Sequence, residues 1–234
     1  MRTISTMMMM MMTIMTMTDF LLKDKTVSNF SLAGSMAIKS LISPQATHFS
    51  YVEVTLQKPL SLMAFTLCMR VATELRGERE IILFAYRIPS HDELNVWREL
   101  DGRFSIYIGG EGVHFHIPEL SSMQTQLCVT WDSSSGAAAF FINDKKSLTK
   151  IFKRGHIIRS EGRIVLGQDP DAFLGGFDVK QSFVGEILDV NLWDYVLSDT
   201  EVQDTFVRKR GNVIDWETTQ LNINGEVVVV DVQL

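Results

Sequence analysis

The sequence predicts an all-β protein, two antiparallel sheets packed as a sandwich, with one short α-helix. Three observations predict it. Short runs rich in Val, Ile, Phe and Thr recur along the chain, several of them alternating, as in Val113-His-Phe-His-Ile117. That alternation marks a strand with one buried face. Turn pairs stand between the runs at hairpin positions: Asp101-Gly102, Gly109-Gly110, Ser135-Gly136 and Asn224-Gly225. Helical periodicity is confined to one late segment, so no strand–helix alternation suggests a parallel sheet.

In chain order, the strand-like runs are 51–56, 65–73, 80–86, 94–97, 104–108, 113–117, 127–131, 138–143, 163–166, 182–193 and 227–232. The helix start is Ser198-Asp-Thr-Glu201, a capping box in which residues N-cap and N3 satisfy each other's orphan amides. Val202, Phe206 and Val207 follow at helical spacing. Arg208, Lys209 and Arg210 suit the negative end of that helix, and Gly211 suits its stop. That basic run reads as a helix end rather than as a cleavage or nucleic-acid site.

Composition narrows the function. Nine of the 13 Met lie in the first 18 residues, where Arg2 is the single charged residue. The rest carries 21 basic against 28 acidic side chains. An acidic body argues against non-specific nucleic-acid binding, which needs clustered Lys and Arg. It fits cation binding where carboxylates converge. A hydrophobic content of 46% against 21% charge excludes a disordered chain. No stretch of the body has the roughly 18 apolar residues of a membrane span.

The start divides from the body. Residues 1–36 are expected to be a poorly ordered Met/Thr-rich segment, and 37–234 a single domain. Two readings of the start stand side by side: an imperfect export signal, or a low-complexity stretch outside the fold. Small residues occur over 31–37, and Asn29-Phe30-Ser31 forms a glycosylation sequon. Cys68 and Cys128 each sit among strand-like residues. One disulfide is the simplest reading for an exported domain, and two buried thiols the other.

Several clusters have chemical potential. The densest is Gln168-Asp169-Pro170-Asp171, followed by Gly175-Gly176-Phe177-Asp178 and Gln181. It supplies five side-chain oxygen donors in one loop, and Pro170 adds a carbonyl. Calcium takes six to eight oxygens in flexible geometry. Gly175 and Gly176 let the loop turn back on itself. A solvated acidic loop is the alternative. His114 and His116 share a strand face but lack a third zinc ligand. Glu186, Asp189 and Asp194 lie near a glycosidase-like pattern, which requires two carboxylates across a cleft. Strict alternation would put Glu186 and Asp189 on opposite faces.

At Gln126-Leu-Cys-Val-Thr-Trp-Asp-Ser133 the chain resembles the pentraxins. Their signature is H-x-C-x-[ST]-W-x-[ST], matched here except at Gln126. The resemblance extends over Phe65-Thr-Leu-Cys68, residues 166–185, Val190-Asn-Leu-Trp-Asp194 with Leu197-Ser198, Asp215-Trp216 and Gly225-Glu-Val227. It runs from about Ser40 to the C-terminus.

The resemblance implies a jelly-roll of two antiparallel sheets and a Cys68–Cys128 disulfide, with the helix on the face away from the ligand. It implies a secreted, lectin-like, acute-phase recognition protein of innate immunity, without enzymatic activity. Such proteins form flat homo-oligomeric rings, usually of five subunits. Calcium, one or two ions per chain, bridges them to phosphocholine, phosphoethanolamine or related anionic and carbohydrate groups, and complement components are partners. Asp169, Pro170 through its carbonyl, Asp171, Asp178 and Gln181 fall on the calcium positions. Asp92 falls on a further one, as does His91, although neutral imidazole prefers softer metals. Asp169 and Asp178 replace the family's Glu and are one methylene shorter. Trp97 and Tyr107 fall in the ligand pocket, where they suit a cationic head group. Asn95 lies beside them. Gly112, next to Glu111, falls where an acidic residue meets choline. The rival reading is a pentraxin-fold assembly or adhesion module that has lost its ligand site.

Overall fold

The computed structural model describes residues 37–205 and 209–233. The Met/Thr-rich start, the Asn29 sequon, the small residues before Ala37, and Phe206, Val207 and Arg208 lie outside the described residues.

Two antiparallel sheets face each other. The first has the order β10 (Lys145–Lys146), β9 (Ala137–Ile142), β8 (Thr125–Asp132), β3 (Ala64–Ala72), β13 (Gly185–Trp193), β1 (Ala37–Ser43) and β15 (Val228–Gln233). β11 (Lys150–Ile151) also pairs with β9. The second has the order β14 (Leu221–Asn224), β2 (Tyr51–Val54), β12 (Arg163–Leu166), β4 (Ile81–Ile88), β5 (His91–Arg98), β6 (Phe104–Ile108) and β7 (Glu111–Phe115). The runs read from the sequence fall on these strands. β1, β10, β11 and β14 were not among them, because β1 mixes polar and apolar residues, β10 and β11 are exposed two-residue strands, and β14 is a four-residue edge strand with half-exposed side chains.

Alternation sends one side of each strand into the space between the sheets. Phe65, Leu67, Met69 and Val71 of β3 and Leu127, Val129 and Trp131 of β8 are buried there. They share one core with Leu94 and Val96 of β5 and Phe104, Ile106 and Ile108 of β6. Phe140 of β9 meets Phe115 and Phe104 at centroid distances of 5.0 and 6.1 Å. Each such edge-on contact adds about 0.5–1.5 kcal/mol beyond area burial.

Three bulges break the alternation. In β4, Ile82 pairs with Trp97 and Phe84 with Val96, so Leu83 is extra and both Leu83 and Phe84 enter the core. In β5, Tyr86 faces Leu94 and Arg87 faces Asp92, so Glu93 is extra. In β13, the register slips between Leu188 and Asn191, where Asp189 has φ +56°. An inserted residue re-aims the side chains around it.

The β13 bulge corrects one expectation. Glu186 pairs across from Ala72, on the face that carries Arg70. Asp189 reaches the same face, accepting from Arg70 Nε at 3.3 Å and from Asn191 Nδ2 at 2.8 Å. The two carboxylates therefore share a face, and Asp189 is held in a structural ion pair.

The outer face of the first sheet carries the disulfide. Cys68 and Cys128 are cross-strand neighbours on β3 and β8 and are bonded to each other. Helix α1 (Asp199–Asp204) starts at the capping box, with Ser198 and Glu201 bonded reciprocally. Val202, Leu197, Trp193 and Phe141 bury the disulfide beneath it. Gln126, the departure from the signature, donates through Nε2 to Thr205 Oγ1 at the helix C-cap.

Lys209 and Arg210 are not in the helix's last turn, which ends at the Thr205 cap. Lys209 pairs instead with Glu201, and Arg210 with Asp215 and Glu217. Gly211 serves a close backbone approach rather than a helix stop. A Cβ there would stand 1.8 Å from the Ile214 carbonyl oxygen.

Candidate cation and ligand site

The loop after β12 folds over the outer face of the second sheet. Gln168 starts it, fully buried, donating to the carbonyls of Thr47 and Ser50 at 2.6 and 3.2 Å. Its amide nitrogen anchors the loop to the segment before β2, and its Oε1 is buried with no hydrogen-bond partner. Ala172 and Gly175 then close a tight turn by mutual backbone bonds of 3.0 and 3.2 Å. Gly176, at φ +74°, approaches the Asp171 side chain so closely that a Cβ would stand 3.0 Å from it. The loop thus doubles back as the glycines predict. Arg79 ties down its far end, donating to the carbonyls of Ser182 and Val179 at 2.8 and 3.1 Å.

Asp169 is the centre of the site. It is almost wholly buried and receives Asn95 Nδ2 on Oδ1 at 3.2 Å. Burial first, then the charges of Asp92 and Asp171, push its pKa up to about 7, with Glu80 adding and Arg87 opposing. Carboxylates crowded in a low-dielectric site resist ionisation unless a cation joins them. Pro170 is buried beside Asp169, while Asp171 and Asp178 are exposed. Asp178 Oδ1 accepts the Lys180 amide at 2.9 Å, and its carbonyl accepts the Gln181 amide at 3.0 Å.

Gln181 donates through Nε2 to Glu80 Oε2 at 3.0 Å, while its Oε1 is buried with no hydrogen-bond partner. An orphaned buried acceptor next to repelling carboxylates is the donor chemistry of a hard oxygen-seeking cation. The residues present therefore fit calcium. No group of three or more His, Cys, Asp or Glu among the described residues is drawn in to metal-binding spacing. Arg87 provides the charge balance instead, its Nη1 bonded to Asp92 Oδ1 at 2.6 Å.

The strand opposite contributes unequally. Asp92 faces the loop cluster through its charge on Asp169. His91 is engaged elsewhere: Nδ1 lies 2.9 Å from Ser90 Oγ, and Nε2 lies 2.8 Å from Glu93 Oε2. The bulge at Glu93 separates the two roles. Neither Glu80 nor Arg87 stood out in the sequence. Glu80 heads a strand-like run, and an arginine five residues before an acidic ligand was the available signal.

Beyond Asn95 lies an aromatic patch. Trp97, Ile82, Ala85 and Tyr107 form a small cluster on the outer face, with the two rings 6.3 Å apart. Trp97 is mostly buried, so the half-buried Tyr107 presents the larger face. Burial and then Glu99, which accepts a Tyr107 hydrogen bond, raise the phenol pKa. Glu99 also accepts from Ser105 Oγ and lies 3.6 Å from His114 Nε2. His116 falls after the end of β7, so the two histidines do not form a strand-face pair. The whole patch lies on the second sheet, on the side of the sandwich away from α1.

The profile of the Pentaxin family matches residues 39–231. The chain belongs to the pentraxin family. Over 190 residues this pentraxin is 52% identical to C-reactive protein of Danio rerio, covering 79% of this chain and 84% of the relative. It is 36% identical over 194 residues to serum amyloid P-component of Cavia porcellus, covering 82% and 86%. It is 33% identical over 195 residues to human C-reactive protein, covering 82% and 87%. In fold it is similar to the heptameric SAP-like pentraxin of Limulus polyphemus, with TM-score 0.71 and 22% identity over 82% of this chain and 94% of that one. The pentraxin has the jelly-roll lectin fold and is not an enzyme. No helix among the described residues is long and apolar enough to cross a membrane.

Proposed function

We propose that this pentraxin is a secreted, calcium-dependent recognition protein of innate immunity. It binds phosphocholine, phosphoethanolamine or a related anionic or carbohydrate group. Asp92, Asp169, the Pro170 carbonyl, Asp171, Asp178 and Gln181 hold the cation, and calcium supplies the positive charge that a phosphate oxygen requires. Asn95 orients Asp169, and Tyr107 over Trp97 offers an aromatic face to the amine end. The observation that carries this reading is Asp169, whose pKa burial and then the charges of Asp92 and Asp171 raise to about 7, together with the unpartnered Gln181 oxygen of the same loop. Weak sites repeated around a homo-oligomeric ring, here taken as five subunits, gain avidity on a repetitive surface. Residues 37–234 are the recognition domain, and residues 1–36 are a Met/Thr-rich start, read as a degenerate signal segment or a low-complexity stretch. The test is retention on phosphocholine or phosphoethanolamine resin with calcium and release by chelator. Asp171→Ala abolishes retention and His114→Ala preserves it; retention indifferent to chelator overturns the mechanism.

The Arg87–Asp92 ion pair supports a second reading, an assembly module whose cation site is closed by its own arginine. Calcium calorimetry separates the two. Saturable binding supports recognition, and none up to millimolar calcium supports the assembly module.

A further inference from the structure

The outer face of the second sheet carries a row of charges that crosses four strands. Arg163 of β12 donates through Nη1 to Glu53 Oε1 of β2 at 2.7 Å. Arg163 lies directly across from Arg87 of β4. Arg87 in turn pairs with Asp92 of β5 at 2.6 Å. The order is acid, base, base, acid, so two guanidinium groups stand side by side at its centre. Residues directly opposite in an antiparallel pair have Cβ atoms about 4.5–5.5 Å apart, and like charges there repel. Arginine cannot be deprotonated in a protein, so this repulsion depends on no protonation state.

Neither guanidinium is used up. Each has five N–H donors in a fixed fork. Among the described residues, Arg87 gives Nη1 to Asp92 and Arg163 gives Nη1 to Glu53. Arg87 Nε is buried with no hydrogen-bond partner, which is costly for a donor on a charged group. Phe173, in the tight turn between Ala172 and Gly175, has its ring 5.6 Å from Arg163 Cζ. That contact steadies the guanidinium from the side of the loop. The Arg163 side chain is still 48% exposed and that of Arg87 16%. Two neighbouring forks with open donors match the oxygens of a phosphate.

The ion pair with Asp92 decides when the pair of arginines is available. Asp92 belongs to the cation set, so when it turns to a bound ion Arg87 loses its partner. We propose that calcium uptake frees Arg87 from Asp92, and that Arg87 and Arg163 then take a second phosphate group of a ligand whose first phosphate is held at the cation. The ligand class this selects is a sugar carrying two phosphate groups. The inference rests on the calcium reading and adds a subsite to it on the β12 side of the cluster, away from Tyr107 on β6. Linkage makes the effect mutual. A phosphate that holds Arg87 off Asp92 tightens calcium binding by the factor by which calcium tightens phosphate binding.

The experiment compares glucose-1,6-bisphosphate with glucose-6-phosphate by calorimetry on the full-length protein, saturated with calcium and then in chelator. In calcium the bisphosphate is expected to bind at least about tenfold more tightly, the gain from one charge-assisted contact. Chelator removes that preference. Arg163→Gln abolishes it beyond the statistical advantage of two groups over one, while calcium still saturates the variant. Lys180→Gln removes a charge of the same sign from the loop and keeps the preference. Circular dichroism confirms that each variant is folded, and Arg87→Gln replaces Arg163→Gln if the latter is not. No preference in the calcium-loaded parent overturns the proposal. So does a preference that survives in chelator or in the folded arginine variant, or one lost equally in Lys180→Gln. Calcium binding without the preference ends this proposal alone, whereas absence of calcium binding ends the reading beneath it as well.

Discussion

The ring of Tyr107 lies against the Cα of Gly112, and three of its carbons would come within 2.8–3.1 Å of a Cβ placed there. The glycine is what allows the tyrosine to lie over the aromatic patch beside Trp97. Gly112→Ala is expected to displace the ring, lowering retention on phosphocholine resin while leaving calcium affinity unchanged. Parallel resin and calorimetry measurements check this, and unchanged retention would show that Tyr107 is packing only.

Asp169 sets a pH dependence. Its folded pKa, about 7, lies above its ordinary value of 3.8. The folded state therefore holds a proton that the unfolded state releases between those values. The penalty for its buried charge is absent below about pH 4, grows as pH rises, and is complete above about 7. Calcium-free protein should gain stability on acidification from pH 8 to 5 relative to Asp169→Asn, read as the difference in Tm. Calcium binding near pH 7 should release protons, visible as a dependence of calorimetric heat on the buffer's ionisation enthalpy.

Arg87 competes with a cation for Asp92. Arg87→Gln removes the 2.6 Å ion pair and its charge from the cluster. Calcium affinity is expected to rise, at some cost to the stability of the calcium-free protein. Weaker calcium binding in that variant would show that Arg87 orders Asp92 for binding rather than blocking it.

The disulfide closes a loop of 60 residues. In the chain-entropy account its removal costs about 4 kcal/mol. The Cys68→Ala, Cys128→Ala double variant should show that loss in urea unfolding. Calcium-dependent retention should survive at low denaturant, because the bridge lies under α1 on the other sheet.

Much of the fold was legible because burial imposes a period of two on Phe65 to Val71 and Leu127 to Trp131. The capping box at Ser198 was legible because it is purely local. What escaped was set by tertiary events. The bulge at Asp189 moved a carboxylate to the face that alternation denied it, and the bulge at Glu93 separated His91 from Asp92. Gln168 sits in an acidic run yet points to carbonyls of a segment over a hundred residues earlier. Glu80 reaches the site only because Gln181 folds back onto it. Composition cannot report which side of a loop faces inward.

The helix and the acidic loop occupy opposite outer surfaces, with a two-sheet core between them. The molecule is thus two-sided in a way that can be used. A coupling group placed on exposed α1, at Thr200 for instance, would tether the protein to a sensor chip with its loop turned outward. Random attachment through lysines would not, since Lys180 lies within the loop itself. Every tethered copy would then present the same surface to a passing particle, and the signal would count particles rather than orientations.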